Sequence, residues 1–274
     1  MADFLNFAKD LNYWTGFGLP RFNVQTVYQD VQSFFGTDPK NLPVPAGVSP
    51  VIWNNVHEPT GVPISKTDSK FFGYLRDTRH TINGTAVTSA LNDFVVFLLG
   101  LLDYDAGQRI IHTQRELSFH VRDSKVDVKV DVAVLKRTRG ISEYVLVVVE
   151  EKSMEDDLAQ GSLIAAAIAA FCQNNLSRKE AGLPSLESQT ILGITMSPST
   201  VPTLYKIPVT KKFLHQFLEE GKCPEEIMLV QRLTPPVCDN IPCYFSEGMN
   251  VLANRWIILK RLNAFKKFLD EDRT

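Results

Sequence analysis

The chain has 274 residues, 44% of them hydrophobic and 22% charged, with a formal net charge of -2. That composition supports one large globular domain or two small ones. It excludes a global basic field, so any nucleic-acid contact must come from a local patch.

The start, MADFLNFAKDLNYW, has no basic region followed by an apolar run, so no secretory signal is expected. The sequons at Asn83 and Asn175 then read as chance matches, and no apolar run reaches membrane-spanning length. The four cysteines, Cys172, Cys223, Cys238 and Cys243, form no CxxC pair and no Cys/His cluster of zinc spacing. They read as free thiols in a reducing compartment, and the expected location is intracellular, cytoplasm or nucleus. Residues 1–82 are punctuated by GLPRFN, GTDPKNLPVPAG and HEPTGVP. They predict an irregular, partly helical segment with short helices near 3–13 and 24–35.

From residue 84 the patterns sharpen into an expected core over 83–210. TAVTSALNDFVVFLLGLL is apolar nearly all round, as in a buried helix over 84–102. RIIHTQRELSFHV partly alternates, and VDVKVDVAVLK alternates strictly, with Val126, Val128, Val130, Val132 and Val134 on one face. A turn at TRGIS leads into EYVLVVVE, whose unbroken apolar run predicts a strand buried on both faces and paired antiparallel to its predecessor. MEDDLAQGSLIAAAIAAFCQNN reads as a helix over 155–175, with Glu155, Asp156 and Asp157 suited to its positive end. QTILGITMS reads as a buried strand and LYKIPVT as an edge strand. Residues 211–274 are expected to add a helical extension that packs on the core. Its run NVLANRWIILKRLNAFKKFLDE combines an apolar stripe (Trp256, Leu259, Leu262, Phe265, Leu269) with Arg255, Lys260, Arg261, Lys266 and Lys267. Those bases offer a phosphate-contacting face or a merely solvated one.

The most informative stretch is VVVEEKS, where a fully apolar strand ends in Glu150, Glu151 and Lys152. Side chains two apart on a strand share a face, about 6.6 Å apart, so Glu150 and Lys152 should point one way and Glu151 the other. A turn near Gly140 sets Asp131, or alternatively Asp127, beside Glu150. Two carboxylates and a lysine then converge near Gln160 on the following helix. Carboxylates so placed hold a hard divalent cation, and a lysine beside them stabilises charge developing on a phosphate. The duller alternative is a solvated strand end in which Lys152 merely pairs with an acid. Asp-x-Lys and Glu-x-Lys recur elsewhere in the chain, so the spacing alone is weak.

Asp131 in VKVDVAVL, Glu150 and Lys152 in VVVEEKS, and Gln160 on the next helix resemble the PD-(D/E)XK nuclease superfamily. The helix-strand-strand-strand-helix-strand order of residues 84–200 is similar to that superfamily's core. The resemblance implies an α/β fold with a restriction-endonuclease-like core, a mixed central sheet flanked by helices, with N- and C-terminal helical additions. It implies a nuclease dependent on Mg²⁺ or Mn²⁺ that hydrolyses DNA or RNA. Asp131 and Glu150 would be metal ligands, Lys152 the catalytic lysine and Gln160 a helper. Asp93, the acid inside the apolar helix, would stand where the superfamily more often has Glu. Val130 precedes Asp131 in place of the proline that names the motif. A non-catalytic module of the same fold, or an intracellular effector that binds nucleic acid or protein, is the alternative. His80, and the strand residues His112, Glu116 and His120, are weaker candidates for the same site.

Overall fold

The computed structural model describes residues 8, 10–15, 18–79, 81–82, 85–86, 88–151, 157–236 and 240–270. Lys152, Glu155, Asp156, His80 and Cys238 lie outside the described residues.

The first strand is β1, Val24–Gln29, followed by helix α1, Val31–Phe35. The single helix expected over 24–35 is therefore two elements. Asp30 divides them: its backbone is extended and its carboxylate accepts a hydrogen bond from the Ser33 amide at 2.7 Å, so helix begins only at Val31. Helices α2, Pro50–Asn54, and α3, Lys66–Asp77, follow. A small antiparallel ribbon pairs β2, Thr81–Ile82, with β3, Thr85–Ala86. Then come helix α4, Thr88–Leu101, and strands β4, Arg109–Val121, β5, Ser124–Thr138, and β6, Ile141–Glu150. Helix α5, Asp157–Glu180, leads to β7, Ser188–Met196, β8, Pro202–Thr210, and β9, Met228–Leu233. Helices α6, Ile241–Glu247, and α7, Leu252–Phe265, end the chain.

The protein is an α/β structure with one mixed seven-stranded sheet, ordered β1-β9-β8-β7-β6-β5-β4. The order from α4 to β7 is the one the sequence patterns predict. β4, β5 and β6 are antiparallel neighbours, and α5 carries the chain across to β7, which lies parallel to β6. The sheet takes β1 from the first 82 residues and β9 from beyond residue 210, and these two pair in parallel. LYKIPVT is interior, contrary to expectation: β8 lies between β7 and β9. The pairing with β9 is confined to Tyr205↔Arg232 and Lys206↔Gln231. Pro202 and Pro208 therefore sit where the absent N–H leaves no ladder partner wanting.

Each face of the sheet carries its own core. Helices α1 to α4 and α7 cover one face, where Phe94, Leu98, Ile258 and Phe265 meet Val132, Leu146 and Val148. Helix α5 covers the other, where Leu163, Ala166 and Phe171 meet Val147, Val149 and Ile191. Trp14, Phe22 and Phe217 extend that second core.

The expected single valine face of β5 does not hold along its length. Val126, Val128 and Val130 pack in the α5-side core, whereas Val132 and Val134 pack in the α4-side core and Ala133 and Leu135 take over the α5 side. Alternation changes parity at Asp131. There the β4–β5 ladder passes over Gln114, whose φ is +48°. The far half of the hairpin leaves β6 at this point and folds over α5.

Candidate functional site

The strand end that the sequence singles out lies where β5 and β6 part. Val132 pairs with Val148, so a continued ladder would set Val130 opposite Glu150. Instead the Glu150 amide donates to Oδ2 of Asp131 at 2.9 Å. A side chain has replaced a backbone carbonyl, which fastens the half-buried Asp131 carboxylate to the end of the strand. Asp127 is elsewhere: it pairs with Lys125 at 2.5 Å on the exposed far part of the hairpin, opposite Ser118.

The two glutamates point to opposite faces. Val148 packs in the α4-side core and Val149 in the α5-side core, so alternation sends Glu150 toward α4 and Glu151 toward α5. Glu151 accepts a hydrogen bond from Thr195 Oγ1 at 2.5 Å, and its amide donates to the Met196 carbonyl at 2.9 Å. Gln160, on the first turns of α5, belongs to this second face. Its Nε2 donates to Thr26 Oγ1 at 3.1 Å, and its Oε1 accepts from Arg232 Nη1 at 3.1 Å. Asp93 is exposed on α4, the helix that covers Glu150's face. The structure thus brings Asp131 to the Glu150 backbone, but sets Gln160 with Glu151's face of the sheet rather than Glu150's.

The α5 face carries a polar row that the sequence patterns did not single out. The ladder aligns Tyr28 on β1 with Arg232 on β9, and Arg232 with Tyr205 on β8. The Arg232 guanidinium lies 5.3 Å from the Tyr28 ring centre and 5.6 Å from that of Tyr205, and its Nη1 donates to Tyr28 Oη at 3.4 Å. Burial pushes the Tyr205 phenol up to about 12. The Arg232 charge and a hydrogen bond with Thr195 work against that rise, and Glu151 and Tyr28 add to it. An arginine inside the strand-like run MLVQRL was the available signal. Tyr28 was hidden because its strand reads as part of a helix.

Other candidates fall away from the strand end. Arg255 and Arg261 are buried, not a phosphate-contacting face. Arg255 donates to the carbonyls of Ile52, Asn55, Val56 and Met249, and Arg261 to that of Thr234. Lys266 and Lys267 donate to the carbonyls of Leu102 and Phe35. These helix-terminal bases satisfy backbone rather than solvent. His112 is half-buried opposite Ala133, and burial first, then Arg115 and Arg137, lower its pKa. Among the described residues no group of three His, Cys, Asp or Glu side chains is placed to hold a metal ion.

The chain matches no protein-family model, and no curated protein matches it.

Proposed function

We propose that the protein is a metal-dependent nuclease with a restriction-endonuclease-like core, hydrolysing phosphodiester bonds of DNA or RNA with Mg²⁺ or Mn²⁺. The observation that carries this reading is the Asp131 carboxylate fastened to the Glu150 amide where β5 and β6 part. That bond engages Oδ2. The donor chemistry fits a hard cation, because carboxylate oxygens are its preferred ligands and Mg²⁺ retains several waters when one or two carboxylates hold it. Asp131 and Glu150 would hold the ion, which when bound supplies an activated water and neutralises phosphate charge. Asp131 is oriented for this by the amide it accepts from. Lys152, one position beyond Glu151, would stabilise charge on the phosphate in the transition state.

The test compares wild type with Asp131→Asn, Glu150→Gln and Lys152→Ala, measuring cation binding by calorimetry and cleavage of labelled DNA and RNA with Mn²⁺, Mg²⁺ or EDTA. The carboxylate variants should lose cation binding and cleavage together. Lys152→Ala should keep the cation and lose about 10²–10³ in rate, the usual cost of one such donor. A wild-type protein that binds neither cation and cuts nothing overturns the reading.

One observation favours the non-catalytic module instead. Both ends of the Gln160 amide are engaged by Thr26 and Arg232, so this side chain serves to join α5 to the β1 edge of the sheet. Under that reading nucleic acid binds in EDTA and is never cut.

A further inference from the structure

Arg232 is a half-buried cation on a short strand, and it makes no ion pair among the described residues. Three other arginines that leave the surface are neutralised or saturated: Arg109 by Asp270 at 2.7 Å, Arg178 by Glu143 at 3.1 Å, Arg255 by four carbonyls. Arg115, bonded to Tyr144 Oη, shares the unpaired state but has no exposed ring of this kind beside it among the described residues. Among the described residues the Arg232 hydrogen bonds use only Nη1, which donates to Gln160 and Tyr28. Nε and Nη2 keep their donors in the planar fork that suits a phosphate. Desolvation without a counter-charge is unfavourable for a cation unless an anion completes the site.

Beside it, Tyr28 is 61% exposed on the edge strand β1. Its ring is held by the guanidinium at 5.3 Å and by the hydroxyl bond to Nη1, so it is an aromatic plate fixed in orientation. A fixed exposed ring next to an unneutralised guanidinium matches one nucleotide: the base stacks and the phosphate meets the fork.

We infer that Tyr28 and Arg232 form a subsite for an unpaired base and its phosphate, so that the nucleic acid this protein takes is single-stranded. The inference rests on the nuclease reading for its purpose but not for its measurement. β1 is four strand spacings from β6, about 19 Å at ~4.8 Å per strand. That span corresponds to roughly five or six phosphates of a stacked strand, within the usual length of a single-strand site. Tyr205 and Thr195 link the two ends along the same face, from Arg232 to Glu151. A duplex suits the surface less. Its bases are not available to a stacking ring, and Arg255, Arg261, Lys266 and Lys267, which could have formed a basic track, are engaged with backbone carbonyls.

The experiment is fluorescence anisotropy in EDTA with a labelled 12-nucleotide DNA strand, the same RNA and the corresponding duplex, using wild type, Tyr28→Phe, Tyr28→Ala and Arg232→Gln. Wild type should prefer the single strands. Tyr28→Ala should bind them about 5- to 150-fold more weakly, the range for one lost stacking contact, while Tyr28→Phe stays near wild type. Arg232→Gln should lower the salt dependence by about 0.7 in logarithmic slope. A melting curve for each variant separates lost binding from lost folding, and exposed Tyr28 keeps the test decisive if Arg232→Gln fails to fold. Preference for duplex, no binding by wild type, or Tyr28→Ala binding like wild type overturns the inference. Cleavage by wild type alongside an indifferent Tyr28→Ala rejects the subsite and keeps the nuclease. Tyr28-dependent binding without cleavage in Mn²⁺ does the reverse.

Discussion

Arg255 is 0% exposed, and its guanidinium is enclosed by four backbone carbonyls and by the rings of Phe71 and Phe72, 5.2 and 5.6 Å away. Burial lowers its pKa to about 10, which still leaves it charged at neutral pH. Three of the carbonyls belong to the end of α2 and the loop after it, so one side chain from α7 stitches together segments some 200 residues apart. Arg255→Met keeps the bulk of the side chain but strands those oxygens. It should lower stability by about 2–4 kcal/mol, and Arg255→Lys should recover only part, because three donors on a point charge cannot replace the fork. Urea midpoints at neutral pH measure both.

Helix α5 shows how an element can owe its position to a missing atom. A Cβ on Gly161 would stand 1.4 Å from the Trp14 carbonyl oxygen, so the backbone of the N-terminal segment rests directly on the helix. Trp14 in turn packs at a tilt on Phe22 and edge-on against Phe217, and its indole Nε1 donates to the Ala8 carbonyl. Alanine favours a helix over glycine by about 1 kcal/mol. Gly161→Ala should nevertheless destabilise the protein by about 1–3 kcal/mol, the usual cost of overpacking, since the atom to be moved is backbone. The sign of the change in melting temperature, together with a shift in Trp14 emission, decides between propensity and packing. Gln160 is the neighbouring residue, so this same contact also sets the turn that reaches Thr26 and Arg232.

At the scale of the molecule, two buried phenols make the fold sensitive to alkali. Burial raises the pKa of Tyr205 to about 12 and raises that of Tyr104 as well; Tyr104 donates to the Leu262 carbonyl at 2.7 Å. A phenol whose folded pKa exceeds its unfolded value of ~10 contributes stability that is whole below pH 10 and is lost as pH rises toward the folded pKa. The unfolded chain releases its protons first. Stability should therefore fall between pH 10 and 12, by on the order of 2 kcal/mol for Tyr205 alone. Tyr205→Phe should flatten that part of the curve, as followed by urea denaturation at successive pH values. An unchanged slope in the variant would mean that Tyr205 ionises as freely folded as unfolded.

The order of elements from α4 to β7 is legible in the residue pattern, because those signals are local. An all-round apolar run makes a buried helix, strict alternation makes a half-buried strand, and a short turn at Gly140 makes the two strands it joins antiparallel neighbours. The pattern also brought Asp131 to within one residue of its position beside Glu150, since hairpin arithmetic needs only the turn. What depends on residues far apart in the chain became visible only in the folded protein. The parity change at Asp131 arises where β4 and β6 pull β5 toward different partners. The strand character of residues 24–29 comes from β9, some 200 residues later. Arg255 and Arg261 look like surface charge until α7 is placed against the carbonyls they satisfy. The row of Tyr28, Gln160, Arg232 and Tyr205 exists only because the sheet sets three distant strands side by side and α5 brings Gln160 to them.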